Sequence, residues 1–490
     1  MTRVTQSLVI PAPRFPETPV LALLILFRLA PAALAQNSLT PGIQPFISIH
    51  EPVIALIHVR VIDGTGAAAR ADQTIVIDHG KISTVQASAS TQIPSTARKV
   101  DLRGFTVYPG LVGMHEHLFY PSGGIPMYNE QAFSAPRLYL ASGVTTMRTA
   151  GSLEPYTDIN VKKLIDGGSI PGPKMDATGP YIEGRGSFAI QMPSITSPEQ
   201  ARRLVDYWAQ EGSTSFKAYM NISHDALAAA VQAAHQHGLK ITGHLCSVGF
   251  TEAAELGIDD LEHGLLVDTE FTPGKQRDVC PDARQSAASI QNLDLKSPEA
   301  QKMIHSLVDH KVAITSTLAV FEAFIPGRPS LEQRVLDAMS PQAAESYLAA
   351  KDRAAANPNA RTLGWLKKEM EFEREFVAAG GLLIAGCDPT GNGGALPGFG
   401  DQRALELLVE AGFKPEEAIR IYTLNGAVYL GQSDRIGSIA PGKQADLVVV
   451  QGDPSTRMAD VENVKYVFKE GIAFDPAKLI ESVRGAVGIH

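Results

Sequence analysis

Short apolar runs set the rhythm of this chain, and their character changes twice along its length. Near the beginning, "IALIHVRVIDGTG" and "QTIVIDHGKISTVQ" alternate apolar and polar residues around Gly and Asp turns, the period of half-buried antiparallel strands. Toward the end, "RIGSIAPGKQADLVVVQGDP" and "VKYVFKEGIAFD" have the same character. Between these flanks the runs shorten and alternate with helical stretches. They are "GLVGMHEH", "GVTTMRT", "KMDATGP", "STSFKAYM", "LKITGHLC", "GIDDLEH", "KVAITST" and "GLLIAGCD". Helical candidates such as "SPEQARRLVDYWAQEG" and "SHDALAAAVQAAHQHG" separate many of them. In the second, Ser223 with Asp225 supplies a start signal and Gly238 a stop.

Eight strands with intervening helices predict an α/β fold, a (β/α)8 TIM barrel, over residues 109–431. A doubly wound open sheet is the alternative, although no Gly-rich phosphate loop follows an early strand. The segment from Pro329 to Val377 carries more helix than one barrel unit needs. Extra surface helices, a lid or an oligomer contact would each account for it.

Composition narrows the class. A hydrophobic content of 44% over 490 residues is that of an ordinary globular protein. The net charge of −9, with no basic patch, argues against nucleic acid as a partner. At the N-terminus, Arg3 and Arg14 precede the apolar "PVLALLILF", and "APAALAQ" follows with small residues at Ala33 and Ala35. This pattern predicts a signal peptide over residues 1–35 and a periplasmic or secreted mature chain starting near Gln36. The apolar run is short for a membrane anchor, so no stable membrane insertion is expected after cleavage. Three cysteines, Cys246, Cys280 and Cys387, are too few for a disulfide framework. The odd count leaves at least one thiol free, and small buried residues are expected at all three.

The polar residues on the strands carry the chemistry. In "HEH", His115 and His117 are two apart, so a strand points both imidazoles to one face. Lys217 lies near the end of the fourth strand, His244 ends the fifth, His263 the sixth and Asp388 the eighth. All six approach the C-terminal strand ends, where barrel enzymes build their sites. Four histidines and a carboxylate converging on one mouth predict a metal site. Lys217 raises a separate question, because a buried lysine is costly unless it is paired or chemically altered.

Other residues are candidates for the substrate. Tyr219 shares the inward face of Lys217 and could donate to a developing oxyanion, or be a packed barrel tyrosine. Arg148 and Arg185 lie near strand ends and could grip a substrate carboxylate, or be structural. His224 follows the fourth strand closely enough to reach the mouth. The remaining histidines do not converge: His235 and His237 are two apart on a helix and cannot share a face. His305 and His310 read as helical surface residues, and His50, His58 and His79 fall among the N-terminal strands.

"YPGLVGMHEH" resembles the first-strand signature of the metal-dependent amidohydrolase superfamily. The later strand motifs and the closing "TLNGAVYLGQSDRIGSIAPGKQADLVVV" are similar to that superfamily in order and spacing. The resemblance implies a barrel inserted into a small composite β-sandwich, built here from residues 36–108 and 432–490. "FKAYM" resembles the carboxylated-lysine strand of hydantoinases and dihydroorotases, whereas "LEHG" is closer to the prolidase-like and imidazolonepropionase-like branches. Gly113 replaces an aspartate common before the first-strand histidines, and Thr149 stands where "RD" is frequent.

The resemblance also implies roles. His115, His117 and Asp388 would hold the more buried of two divalent ions, Zn2+, and His244 and His263 the more exposed one. Lys217, carboxylated by carbon dioxide, would bridge them. A bridging hydroxide would attack the carbonyl, with Asp388 as general base and then acid. The implied activity is amide hydrolysis in small molecules, dipeptides or N-acyl amino acids, by a chain compatible with homo-oligomerisation. Cyclic amides, lactones or phosphotriesters suit the same chemistry. A metal-bound binding protein without turnover is the alternative outside the enzymes.

Overall fold

The alternating runs at both ends of the chain meet in one sheet. Val53–Val61 pairs antiparallel with Arg70–Asp78, which pairs with Lys81–Ala87. From the far end, Leu447–Gln451 pairs antiparallel with Phe105–Pro109, placing Val448 opposite Tyr108. The sheet has nine strands and is mixed, because Val53–Val61 runs parallel to Arg98–Asp101. Its apolar positions, including Ile54, Leu56, Ile75, Val107, Leu447 and Phe468, form one buried core. The computed structural model describes residues 40–121, 128–187, 189–357, 361–390 and 393–488. The expected signal segment, residues 1–35, lies outside them.

Between the flanks, parallel strands follow one another in chain order. Leu111–Glu116 pairs with Val144–Thr149, which pairs with Lys174–Asp176. After Ala177 the chain enters a six-stranded parallel sheet. Its strands are Thr178–Ile182, Ser215–Ala218, Lys240–Gly243, Asp260–Glu262, Ala313–Ser316 and Leu383–Ala385. The expected third strand is therefore divided at Ala177 between two sheets. The last strand approaches the first again: the Asp388 N–H donates to the His115 carbonyl at 3.0 Å. A Cβ on Gly386 would strike the His115 backbone, so only glycine permits that approach. The result is a TIM-barrel-like α/β arrangement.

Helix starts follow the capping chemistry in the sequence. Ser197, Ser223 and Ser297 accept from the N–H groups of Gln200, Ala226 and Ala300 at the starts of Pro198–Glu211, His224–Gln236 and Pro298–Asp309. Each such cap is worth about 1 kcal/mol. Past His224–Gln236, Gly238 takes a φ of +68°, the left-handed conformation that ends helices. Leu227, Ala230 and Ala234 of this helix are buried in the main core.

The helix-rich segment contains Gln333–Ala338, Pro341–Ala356 and Leu363–Ala378. The first two place Ala338, Ala343 and Tyr347 in a satellite core with Leu138, Phe399 and Val487. The third buries Phe372 and Phe376 in the main core. Among the described residues no helix is long and apolar enough to cross a membrane. The cysteines depart from expectation: Cys246 and Cys280 form a disulfide, and Cys387 alone remains a free, buried thiol. Residues 34 apart in sequence give no local sign of pairing; the fold alone brings them together.

Candidate metal centre

Strand alternation sends His115 and His117 one way and Glu116, between them, the other. The two imidazoles join Lys217, His244, His263 and Asp388 in lining one cavity of about 230 Å³. All six come from the ends of strands or the residues just beyond, as the sequence predicts. Asp388 sits at the hub. Its carboxylate oxygens lie 3.6 Å from His115 Nε2, 3.3 Å from His117 Nε2 and 3.8 Å from His263 Nδ1. The His244 ring lies 4.4 Å from the His263 ring, and Lys217 Nζ is 3.4 Å from His115 Nε2.

Outer groups orient the imidazoles. His117 Nδ1 faces the Gly151 carbonyl at 3.3 Å. A carbonyl only accepts, so Nδ1 carries the proton and Nε2 keeps its lone pair for the cavity. His115 Nδ1 meets the Glu262 carboxylate, which fixes the same tautomer. His263 Nδ1 lies 2.8 Å from Thr317 Oγ1. Two of the candidate ligands also sit in left-handed backbone, His263 at φ +71° and Asp388 at φ +49°. For residues other than glycine this is uncommon, and such strain concentrates at functional sites.

Burial sets the protonation states. It pushes His115 down to about 4 and His244 down to about 3, the latter helped by the Lys217 charge. It likewise holds His263 well below its ordinary value. The imidazoles are therefore neutral near pH 7, with lone pairs open to a metal ion. For Asp388, burial acts upward, but His115, His117 and His263 outweigh it and hold the carboxyl well below the usual range. Lys217 is lowered by burial, against the raising influence of Glu262 and Asp388.

Neutral imidazole nitrogens and one carboxylate are a donor set suited to zinc-like divalent ions, and the residues present fit such ions with one exception. An unmodified Lys217 ammonium has no lone pair to give and repels a cation. A carbamate on the same nitrogen would supply anionic oxygens and complete the set.

Beneath the imidazoles lies a charged floor not anticipated from the sequence. Arg148 is buried and donates to Glu262 at 2.6 Å and to Thr242 Oγ1 at 3.2 Å, with Asp260 at 3.9 Å. It does not line the cavity, so the substrate-gripping option for Arg148 is set aside in favour of the structural one. Glu262 is held well below the usual carboxylate range: burial acts upward, and Arg148, His115 and Lys217 overcome it. The available signal was the alternation in "DDLEH", which puts Asp260 and Glu262 on one face of a buried strand.

Arg185 and His224 also fall away from the site. Arg185 is exposed in the turn after Thr178–Ile182. The His224 N–H donates to Asp278 at 2.6 Å, and its ring lies 3.0 Å from Arg277 and 3.1 Å from Asp225. Neither residue lines the cavity. Tyr219 does, its ring 4.8 Å from that of His244.

On the opposite face, Glu116 receives the Cys387 thiol at 3.0 Å and the Cys387 N–H at 3.3 Å. Burial, reinforced by Asp401, raises the Glu116 carboxyl well above its ordinary value. A side chain at Gly113 would strike this carboxyl, which is the physical reason an aspartate has no room there.

The model of the amidohydrolase family matches residues 106–473. An imidazolonepropionase from Porphyromonas gingivalis is 37% identical over 82 residues, 16% of this chain and 19% of that protein. The chain thus spans about a fifth of the length of the curated relatives it matches. Among solved structures, a Xaa-Pro dipeptidase with bound methionine superposes with a TM-score of 0.64 at 21% identity, covering 86% of this chain and 100% of that one. Phenylurea hydrolase B gives 0.62 at 20% identity, covering 89% and 100%. At these identities the structural likeness shows the fold.

Proposed function

The chain belongs to the amidohydrolase family, and from that premise we propose that it is a metal-dependent hydrolase of amide C–N bonds in small molecules. The observation that carries this reading is the convergence of His115, His117, Lys217, His244, His263 and Asp388 on one cavity. His115, His117 and Asp388 would hold one divalent ion, His244 and His263 a second, and a carboxylated Lys217 would join them. Bound there, such ions, zinc by donor chemistry, supply Lewis-acid activation of water and of the scissile carbonyl.

The protein's own residues do the rest. Asp388, held anionic beside three imidazoles, accepts a proton as water oxygen adds to the carbonyl carbon. It returns that proton to the leaving nitrogen as the C–N bond breaks, giving a carboxylic acid and an amine. Tyr219, on the wall beside His244, would donate to the developing oxyanion. Gly151, Glu262 and Thr317 keep the imidazoles in register.

The barrel would occupy residues 109–431, with 36–108 and 432–490 forming one composite β domain. The pairing of Leu447–Gln451 with Phe105–Pro109 supports that division. The mature chain would begin near Gln36 after export, and the Cys246–Cys280 disulfide supports an oxidising compartment.

Purified protein stripped by a strong chelator should lose amide hydrolysis and regain it with added divalent metal. His115→Ala should lose one ion and the activity together. Full activity in chelator, with no transition metal found by elemental analysis, would reject the reading.

A further inference from the structure

The walls of the cavity say what kind of amide enters it. Phe119 stacks on His117 at 4.3 Å, and Phe321 stands edge-on to His263 at 5.6 Å. Leu153, Met192, Val320 and Phe324 extend these aromatic sides. Beyond the candidate metal ligands, the polar groups on the walls are tyrosine hydroxyls and Thr390, all neutral. Among the described residues no arginine lines the cavity, and its one lysine is Lys217.

Arg148, Arg361, Arg328 and Arg403 are engaged with other groups, and Arg185 is exposed and off the cavity lining. Arg148 holds Glu262 at 2.6 Å in the floor. Arg361 lies over the Trp365 ring at 4.8 Å, and Arg328 and Arg403 bind Glu322 at 2.7 and 2.8 Å.

We propose that this cavity selects uncharged amides carrying an aryl-sized apolar group beside the scissile C–N bond, and discriminates against amides with a free carboxylate. The proposal rests on the amide-hydrolase reading and narrows its substrate class. With the scissile amide at the candidate ion site, a carboxylate beside it sheds water against walls that offer no side-chain cation to pair with, a desolvation those walls do not compensate. An aryl ring instead exchanges water for aromatic faces and edges. The size agrees: an apolar cavity of about 150 Å³ holds a benzene ring, so about 230 Å³ takes a ring and a short acyl amide. Dipeptides and N-acyl amino acids, the substrates expected from the sequence, carry the disfavoured group.

A matched pair tests this: N-acetyl-2-phenylethylamine and N-acetylphenylalanine differ only in the carboxylate. Binding of each to metal-loaded protein is measured by titration calorimetry, and hydrolysis is followed separately. The uncharged amide should bind at least ~10-fold more tightly, the unpaired carboxylate being the cause. Met192→Arg, which introduces a cation on a wall, should shrink or reverse that ratio. Equal or tighter binding of N-acetylphenylalanine by the unaltered protein, or no binding of either compound, would overturn the proposal. Tight binding of the uncharged amide without any turnover would reject the amide-hydrolase reading and leave the selectivity standing.

Discussion

Arg148→Met replaces a buried guanidinium with an apolar chain of similar length, and its consequences can be worked out from the floor of the site. Arg148 is the cation bonded to Glu262 at 2.6 Å, and it lies 3.9 Å from Asp260. Without it, Glu262 keeps His115, neutral because burial lowers it to about 4, and Lys217 at 3.8 Å. Asp260 keeps Thr315 Oγ1 at 2.8 Å. Breaking a buried ion pair from one side costs about 3–5 kcal/mol. Glu262 can relieve part of that by taking up a proton, so the loss should fall near ~3 kcal/mol at pH 7.

The sign with pH follows from the lowered Glu262 carboxyl. A depressed folded-state value stabilises above the ordinary glutamate range, and that stability is lost as pH falls through the folded value. The gap between parent and Arg148→Met should therefore be widest near neutrality and close on acidification. Urea unfolding at several pH values measures it. The double variant Arg148→Met/Glu262→Gln removes both charges and should recover at least about half of the loss, a non-additivity expected of contacting residues. Kinetically, kcat should fall as His115 loses its fixed orientation. A variant losing under about 1 kcal/mol, with kcat intact and KM raised, would show that Arg148 grips substrate after all.

Three further outcomes are expected. Lys217→Arg should lose metal bridging and activity, because guanidinium offers only donors, whereas Lys217→Glu should retain some metal; activity surviving in Lys217→Arg with Lys217→Glu metal-free would refute the carbamate. Replacing Cys246 and Cys280 by Ser should cost up to about 4 kcal/mol by the loop-closure estimate for cysteines 34 residues apart, and loosen metal near His244; an unchanged urea midpoint and metal content would refute the tether. Asp158, buried and raised to about 7, should make stability decline as pH rises from about 4 through 7, by roughly 2–4 kcal/mol; the decline should flatten in Asp158→Asn, and an identical pH dependence would refute its origin.

Local pattern made much of this fold legible. Period-two alternation identified the flanking strands, and short apolar runs located the parallel ones, because a strand's burial is written in consecutive residues. Even so, the division of the third strand at Ala177 left no local mark. The convergence of these residues on one cavity was legible for the same reason: His115 and His117 share a face by alternation, and His244, His263 and Asp388 follow apolar runs directly.

What escaped the sequence depends on contacts between distant residues. Arg148 and Glu262 are 114 positions apart, and each alone looks like an ordinary strand-end charge. Their pairing explains why the arginine faces the floor. Arg185 differs because its turn carries it to the surface, and His224 because its partners Arg277 and Asp278 lie on another loop. The aromatic walls come from separate segments, Phe119 just after the first strand and Phe321 on the helix Leu318–Glu322, so no single stretch displays them.

These layers constrain one another. The floor is charged and internally paired: Glu262, which meets His115, is held anionic chiefly by Arg148. The imidazoles above it must be neutral, and burial among apolar walls is what makes them so. The same walls that keep His115 and His244 neutral offer a substrate carboxylate no side-chain cation beyond Lys217. Left-handed backbone at His263 and Asp388 is the local cost of turning both side chains inward from strand ends, of order 1–3 kcal/mol each. Sites that break local rules in this way are held by surrounding structure, and here the Asp388 N–H donates to the His115 carbonyl and the His263 N–H to the Thr315 carbonyl. On the proposed reading, a change to the Arg148–Glu262 pair should therefore disturb the candidate ligand His115, whereas a change to the walls alone should alter selectivity and leave metal content unchanged.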